Sequence, residues 1–330
     1  MSKFIRFWSV FSLVFIILIF PFVVGPCPSW GQDYPTKPVQ IVSCWSPGGF
    51  TPIMAVLLAE ESKKYLSQPA VAVFKPGAAG TIGAYAVATS PPDGYTLLMA
   101  TMSHTAIIPQ IQKVDYAPQD FEHMGQVANN PFTLVVRADS PWKSLKDLVN
   151  DAKKNPGLFT CGNSGANGAH HLTALRFEKI AGIKLTHVPF KGDADSMSAL
   201  AGGHIGMSLR SPGGGEALIE GGKLKVLTVF DSQRCKFYPQ VPTSKEEGFP
   251  LEAGAWAVLM APKGTPKGVL TTWENIIKKA TEDKSFNEKA DKARMNIVYR
   301  SAEDFKKYYL GKVQEFGEIL KELGFKLIER

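Results

Sequence analysis

Two glycine-rich turns constrain this chain more than any other feature: Ser46-Pro47-Gly48-Gly49-Phe50-Thr51 and Lys75-Pro76-Gly77-Ala78-Ala79-Gly80-Thr81. Each follows a short apolar run (39–42 and 70–74) and each leads into a helix-like segment. Strand, turn and helix, repeated, read as an α/β arrangement built on a mostly parallel sheet with helices on both faces. The strands of such a sheet are near-continuously apolar, as these are. Loops that follow successive parallel strands gather at the carboxyl edge of the sheet, where ligands of such folds bind. Turns of this kind leave backbone N–H groups uncovered, and a small anion can sit on them. Neither turn fits G-x-G-x-x-G and no G-x-x-x-x-G-K-S/T occurs, so nucleotide sites lack their signatures.

The N-terminus narrows the setting. Lys3 and Arg6 precede an almost wholly apolar stretch, 7–25, and Gly25-Pro26-Cys27-Pro28-Ser29-Trp30-Gly31 then breaks any helix. Ser29 and Gly31 suit the −3 and −1 positions of a signal peptidase, which predicts a signal peptide over 1–31, cleaved near Gly31, and a protein exported to the periplasm. An uncleaved anchor is the alternative, because the apolar stretch approaches spanning length. Cys27 raises a lipoprotein, which Pro26 fits poorly. Removing the leader takes away Lys3 and Arg6 and no acid, so the formal charge falls from +7 to +5. The charges are dispersed and no basic tract is interleaved with aromatics, so nucleic acid is not an expected partner. Cys44, Cys161 and Cys235 are odd in number and widely spaced, which is neither a disulfide framework nor a metal-ligand set. They are expected to be buried small residues, with Cys44 and Cys161 near the cleft.

Further along, strand-like and helix-like segments keep alternating. The apolar stretches 133–136 and 256–260 read as paired crossings between two units. The domains expected are 32–130 with 255–330, and 131–254, joined by a two-strand hinge. Three charged amphipathic helices, 267–280, 284–293 and 302–322, form an outer layer, and 326–328 is too short to place.

Candidate binding residues follow from the strand ends. Ser46, Gly48, Gly49 and Phe50 come from the first turn, and Ala78, Ala79 and Gly80 from the second. Thr101, Ser103 and His104 follow strand 95–99 at the same edge. A third glycine-rich loop, 162–168, offers Asn163, Ser164 and Asn167 as donors and acceptors from the other domain. Arg210 and Ser211 follow strand 205–208; an arginine there either grips a carboxylate with two parallel bonds or faces solvent. Asp193 is expected to cap the helix over 193–201 at the rim of the cleft. His170 and His171 are adjacent and cannot share one metal from that helix; His171 is expected to face inward as a structural residue. No G-x-S-x-G, H-E-x-x-H or Cys-x-x-Cys occurs, so no catalytic residue, metal or cofactor is expected.

Several segments together carry a resemblance. They are Tyr34-Pro35-Thr36-Lys37-Pro38-Val39, Ser46-Pro47-Gly48-Gly49, Pro76-Gly77-Ala78-Ala79-Gly80-Thr81-Ile82-Gly83-Ala84 and Pro92-Asp93-Gly94-Tyr95-Thr96-Leu97-Leu98. Val188-Pro189-Phe190-Lys191-Gly192, Gly222-Lys223-Leu224, Val241-Pro242-Thr243 and Ala261-Pro262-Lys263-Gly264-Thr265-Pro266 follow in order. The chain resembles the extracytoplasmic solute receptors of tripartite tricarboxylate transporters, the Bug family, over essentially its whole mature length. The resemblance implies a two-lobed periplasmic binding protein of type II, a "Venus flytrap", each lobe a mainly parallel sheet flanked by helices. It implies a receptor that closes on a small organic carboxylate, aromatic or dicarboxylic acids included, and delivers it to a membrane permease; a monomer is expected, since no exposed apolar stripe in the sequence asks for a partner. Backbone groups and waters around Gly48-Gly49 and Ala78-Ala79-Gly80 would hold the carboxylate, with 162–168, 191–195 and 208–212 closing over it. Departures are Thr51-Pro52 and Val56 where the family has Thr-Asp and an arginine, Phe74-Lys75 for Asn-Arg, and Gly206 for an aspartate. Phe50 then reads as an apolar wall. An enzyme or a ligand sensor on the same fold is the alternative reading.

Overall fold

The computed structural model describes residues 34–328. The expected leader over 1–31 and its cleavage point lie outside the described residues.

The first glycine turn sits between strand β1 (Val39–Ser43) and helix α1 (Phe50–Ser62), the second between β2 (Ala70–Phe74) and α2 (Thr81–Ala88). Strand β3 (Thr96–Ala100) completes a parallel set in the order β2-β1-β3. Its middle strands are packed on both sides: Ile41, Val42, Leu97, Leu98 and Met99 are all buried.

A 17-residue strand, β4 (Phe121–Arg137), follows. Beyond it come α3 (Leu145–Lys154), β5 (Thr160–Asn163), α4 (Ala169–Ala181), β6 (Thr186–Pro189), α5 (Asp193–Ala201) and β7 (Met207–Arg210). Then come α6 (Glu216–Glu220), β8 (Leu224–Phe230), β9 (Gly254–Pro262), α7 (Lys267–Glu282), α8 (Lys284–Lys292), β10 (Ile297–Arg300) and α9 (Ala302–Glu322). Strand β4 belongs to both halves. Residues 121–131 pair with β9, whereas 132–137 pair with β7 and β8. The second half adds parallel pairs β5–β6 and β5–β7.

The α/β class holds, but the sheet is mixed where mainly parallel halves were expected. Every antiparallel pair involves β4 or β9. The reason is geometric: one strand leaves the first half and another returns, so each must run against a neighbour. Apolarity of a strand reports burial and is silent on direction. Strand β4 also begins twelve residues earlier than the apolar stretch at 133 announced, because Glu122, His123, Gln126, Asn129, Asn130 and Pro131 interrupt the hydrophobic run. Register shifts at His123/Gly125 and Gln126/Ala128 mark bulges that bend it. Strand β10, only four residues long, was not expected from the sequence. Residues 326–328 form no strand; the Ile328 N–H donates to the Gln110 carbonyl at 2.8 Å. No described helix is long and apolar enough to cross a membrane.

Candidate functional site

Helix ends define the site before any side chain does. Helices α1, α4 and α5 start from Gly49, Gly168 and Gly192, none of which supplies a side-chain cap. By contrast α3, α8 and α9 are capped by Ser144, Asp283 and Ser301. A helix start without a cap leaves N–H groups and a partial positive charge for something else to use. Helices α2, α6 and α7 also start without a side-chain cap, but it is the first residues of α1, α4 and α5 that together line one cavity. Its first-half wall is Trp45, Gly49, Phe50, Thr51, Pro52, Thr101, Met102 and Ser103, and its second-half wall is Phe132, Ser164, Ala169, His170, Asp193 and Ser211. Ala255, at the start of β9, closes the back.

The two walls meet. The Ser46 N–H donates to the Lys191 carbonyl at 3.2 Å, and the Ala169 N–H donates to Ser103 Oγ at 3.0 Å. Among the residues lining the cavity there is no lysine or arginine, and His170 and Asp193 are the ionisable groups. Several buried polar atoms have no hydrogen-bond partner: Thr101 Oγ1, His170 Nε2 and Asp193 Oδ1 on the lining, and both side-chain amide atoms of Asn163 nearby in sequence. Unsatisfied buried groups are rare in folded proteins and mark places completed by something else.

Seven of the residues expected from the sequence line this cavity: Gly49, Phe50, Thr101, Ser103, Ser164, Asp193 and Ser211. Ser46, Ala78 and Ala79 line a second, more open space of about 970 Å³ that shares Trp45 with the first. Ala78 and Ala79 are held at φ of 45° and 50°, an uncommon conformation for side-chain-bearing residues. Gly48 faces Ala194 across the cleft, where an added Cβ would stand 3.3 Å away. Gly80 packs on the ring of His104.

Other expected residues are placed elsewhere. His104 is fully buried, accepts the Thr101 N–H on Nε2 at 3.3 Å, and is pushed down to about 3 by burial. It does not line the cavity. Asn163 is buried at the end of β5, and Asn167 takes φ +61° with its N–H donating to His171 Nδ1 at 2.9 Å. Arg210 neither faces solvent nor reaches the cavity. Its Nη1 meets Glu216 Oε2 at 3.1 Å and the Gly214 carbonyl at 2.9 Å, and Nη2 meets the Tyr238 hydroxyl at 2.6 Å. Asp193 does not cap its own helix: Oδ2 accepts the Ser211 N–H at 3.2 Å, tying α5 to the end of β7.

The histidine pair is reversed. His170 is the buried, cavity-lining ring, while His171 stacks edge-on with His187 at 4.5 Å between centroids. Burial holds His170 below the ordinary histidine range, and Asp193 partly offsets that. Ser164 Oγ meets His170 Nδ1, and Asp193 Oδ1 stands 3.5 Å from the same nitrogen. A nucleophile–base–acid relay needs the serine and the acid on opposite ring nitrogens. This arrangement gives a positioned ring, not that relay. Cys44, Cys161 and Cys235 are free and buried, and burial pushes the Cys161 thiol up to about 12.

The candidate residues read from the sequence did not include Thr51, Pro52, Ala169 and His170, neighbours of expected positions, nor Trp45, Met102, Phe132 and Ala255, which supply much of the apolar lining. Trp45 had a usable signal, since it directly precedes the first glycine turn. Phe132 and Ala255 had none, because they enter through the crossing strands rather than through loops.

Comparison with known proteins agrees with this arrangement. A family model described as tripartite tricarboxylate transporter family receptor matches residues 54–325. A Cupriavidus necator protein described as UPF0065 protein in gbd 5'region is 32% identical over 300 residues, covering 91% of each chain. The solved structure of the periplasmic binding protein BugD superposes with a TM-score of 0.84 at 30% identity, covering 89% of this chain and 99% of that one. An R. palustris protein solved with adipate, Rpa4515, superposes with a TM-score of 0.85 at 28% identity, covering 88% and 99%. The uncapped helix ends, the cleft between two halves of a mixed sheet and these matches lead to one conclusion: the chain belongs to the receptor family of the tripartite tricarboxylate transporters.

Proposed function

We propose that this receptor captures a small carboxylate in the cavity between its halves, outside the cytoplasm, and hands it to a membrane permease. The observation that carries this reading is the set of three helix starts without side-chain caps around one cavity. With no lysine or arginine on the lining, an anion there relies on N–H groups, hydroxyls and the helix dipoles. Adipate in a relative's structure supports the ligand class. The leader read over 1–31 supports export, with release near Gly31. The lobes are 32–130 with 255–330, and 131–254, hinged where β4 and β9 pass between them. A ligand that touches both walls stabilises the closed form by its differential affinity for it.

The test is a thermal-shift panel of mono-, di- and tricarboxylates, aromatic acids and neutral analogues, followed by calorimetry on the hits. A carboxylate at 100 times its Kd should add about 2.7 kcal/mol of stability and raise the melting midpoint accordingly. Stabilisation by neutral analogues alone, or by none of the acids, would contradict the proposal.

A further inference from the structure

Asp193 is the carboxylate on the cavity lining, and it is only 5% exposed. Its Oδ2 is occupied by the Ser211 N–H, but Oδ1 has no hydrogen-bond partner. The nearest candidate donor atom, His170 Nδ1, is 3.5 Å away and already meets Ser164 Oγ. A buried carboxylate oxygen without a donor is costly unless something entering the cavity supplies one. His170 Nε2, also on this buried ring and also unpartnered, adds a second polar contact beside it. Across the cavity are the apolar side chains of Trp45, Phe50 and Met102, and Phe132 packs on the His170 ring at 4.2 Å between centroids.

The geometry points to a ligand that carries, besides its carboxylate, a hydrogen-bond donor (a hydroxyl or an ammonium) received by Asp193 Oδ1. This rests on the carboxylate reading above and narrows it. The ligand carboxylate and Asp193 share one small cavity and repel each other, so the ligand anion belongs at the starts of α1 and α4 and the donor belongs against Asp193. A plain dicarboxylate would set a second anion against Asp193 and leave Oδ1 unpaired. Sites built to pair a polar substituent discriminate against analogues lacking it far more strongly than sites that sense size alone.

The experiment titrates matched acids into the full mature chain by calorimetry: phenylalanine against 3-phenylpropanoate, mandelate against phenylacetate, and 2-hydroxyadipate against adipate. The donor-bearing member of at least one pair should bind about tenfold tighter or better, the effect of one charge-assisted bond. The ammonium and hydroxyl arms identify which donor is used. Asp193→Ala should cut that preference to less than about threefold, and Asp193→Asn, which keeps the shape, should weaken an ammonium ligand more than a hydroxyl one. The wild-type comparison stands even if neither variant folds. Equal affinities within every pair, or tighter binding of the plain acids, would overturn the donor and leave the carboxylate reading in place. Binding of no acid at all would remove both.

Discussion

Arg210 is completely buried, and its two terminal nitrogens are bound by Glu216, Tyr238 and the Gly214 carbonyl. Glu216 also stands 3.5 Å from Arg294, so the group ties β7, α6 and the segment before β10 together. Removing one partner of a buried ion pair strands the other, at a cost of about 3–5 kcal/mol. Arg210→Met should therefore lower unfolding free energy by about that much in a denaturant titration. Ligand affinity of the folded variant should change less than about threefold, because the guanidinium does not reach the cavity. A large affinity loss at unchanged stability would restore Arg210 as a ligand contact. The sequence told that an arginine stood at a strand end, and the carboxylate it serves lies six residues on in the chain itself. Asp193 is the converse case. Its place at a helix start looked like a cap, and only the Ser211 N–H beside it shows that the side chain turns towards the cleft lining.

At the scale of elements, glycine-bounded strands and helices were legible and crossing strands were not. The turns at 46–51 and 75–81 lie where periodicity and turn chemistry set them, because local residues alone decide such turns. Strand β4 was half hidden, since the burial of Gln126 and Asn130 depends on partners far away: Arg300 Nη1 reaches Gln126 Oε1 at 2.5 Å, and the Asn296 N–H reaches Asn130 Oδ1 at 2.7 Å. The helical turn Ser103–Ile107 after β3 is buried throughout and carries a histidine with no charged neighbour to favour its protonation. Its folded pKa, about 3, lies below the ordinary 6.5, so between those values the unfolded chain binds the extra proton. The contribution is full above about pH 6.5 and is lost as pH falls towards 3. From pH 7 to 5 this single group should cost about 2 kcal/mol of stability. In His104→Gln the drop in unfolding free energy between those pH values should shrink by about that amount. An unchanged drop would mean that His104 is free to protonate in the folded protein.

For the whole molecule, the account turns on closure of two halves over one cavity. The family-level plan was readable from ordered short motifs: those around Ser46–Gly49, Gly77–Ala79 and Pro189–Lys191 are loops at the cavity walls, and the others mark turns elsewhere in the fold. What the motifs did not carry was the apolar lining, because Phe132 and Ala255 arrive on the strands that pass between the halves. Closure itself can be probed at Gly192, whose backbone is extended at φ −179° and accepts any side chain. A Cβ there would stand 3.2 Å from the Ser46 nitrogen and 3.3 Å from its Cβ, across the cleft. Gly192→Val thus obstructs closure and leaves each half intact. The most direct measurement is a calorimetric titration of the best-binding carboxylate into the wild-type chain and into Gly192→Val. The account predicts one site per wild-type chain and an affinity at least about tenfold weaker in the variant, a loss of about 1.4 kcal/mol, with the ligand-free melting point unchanged. Equal affinity in the two proteins would contradict it.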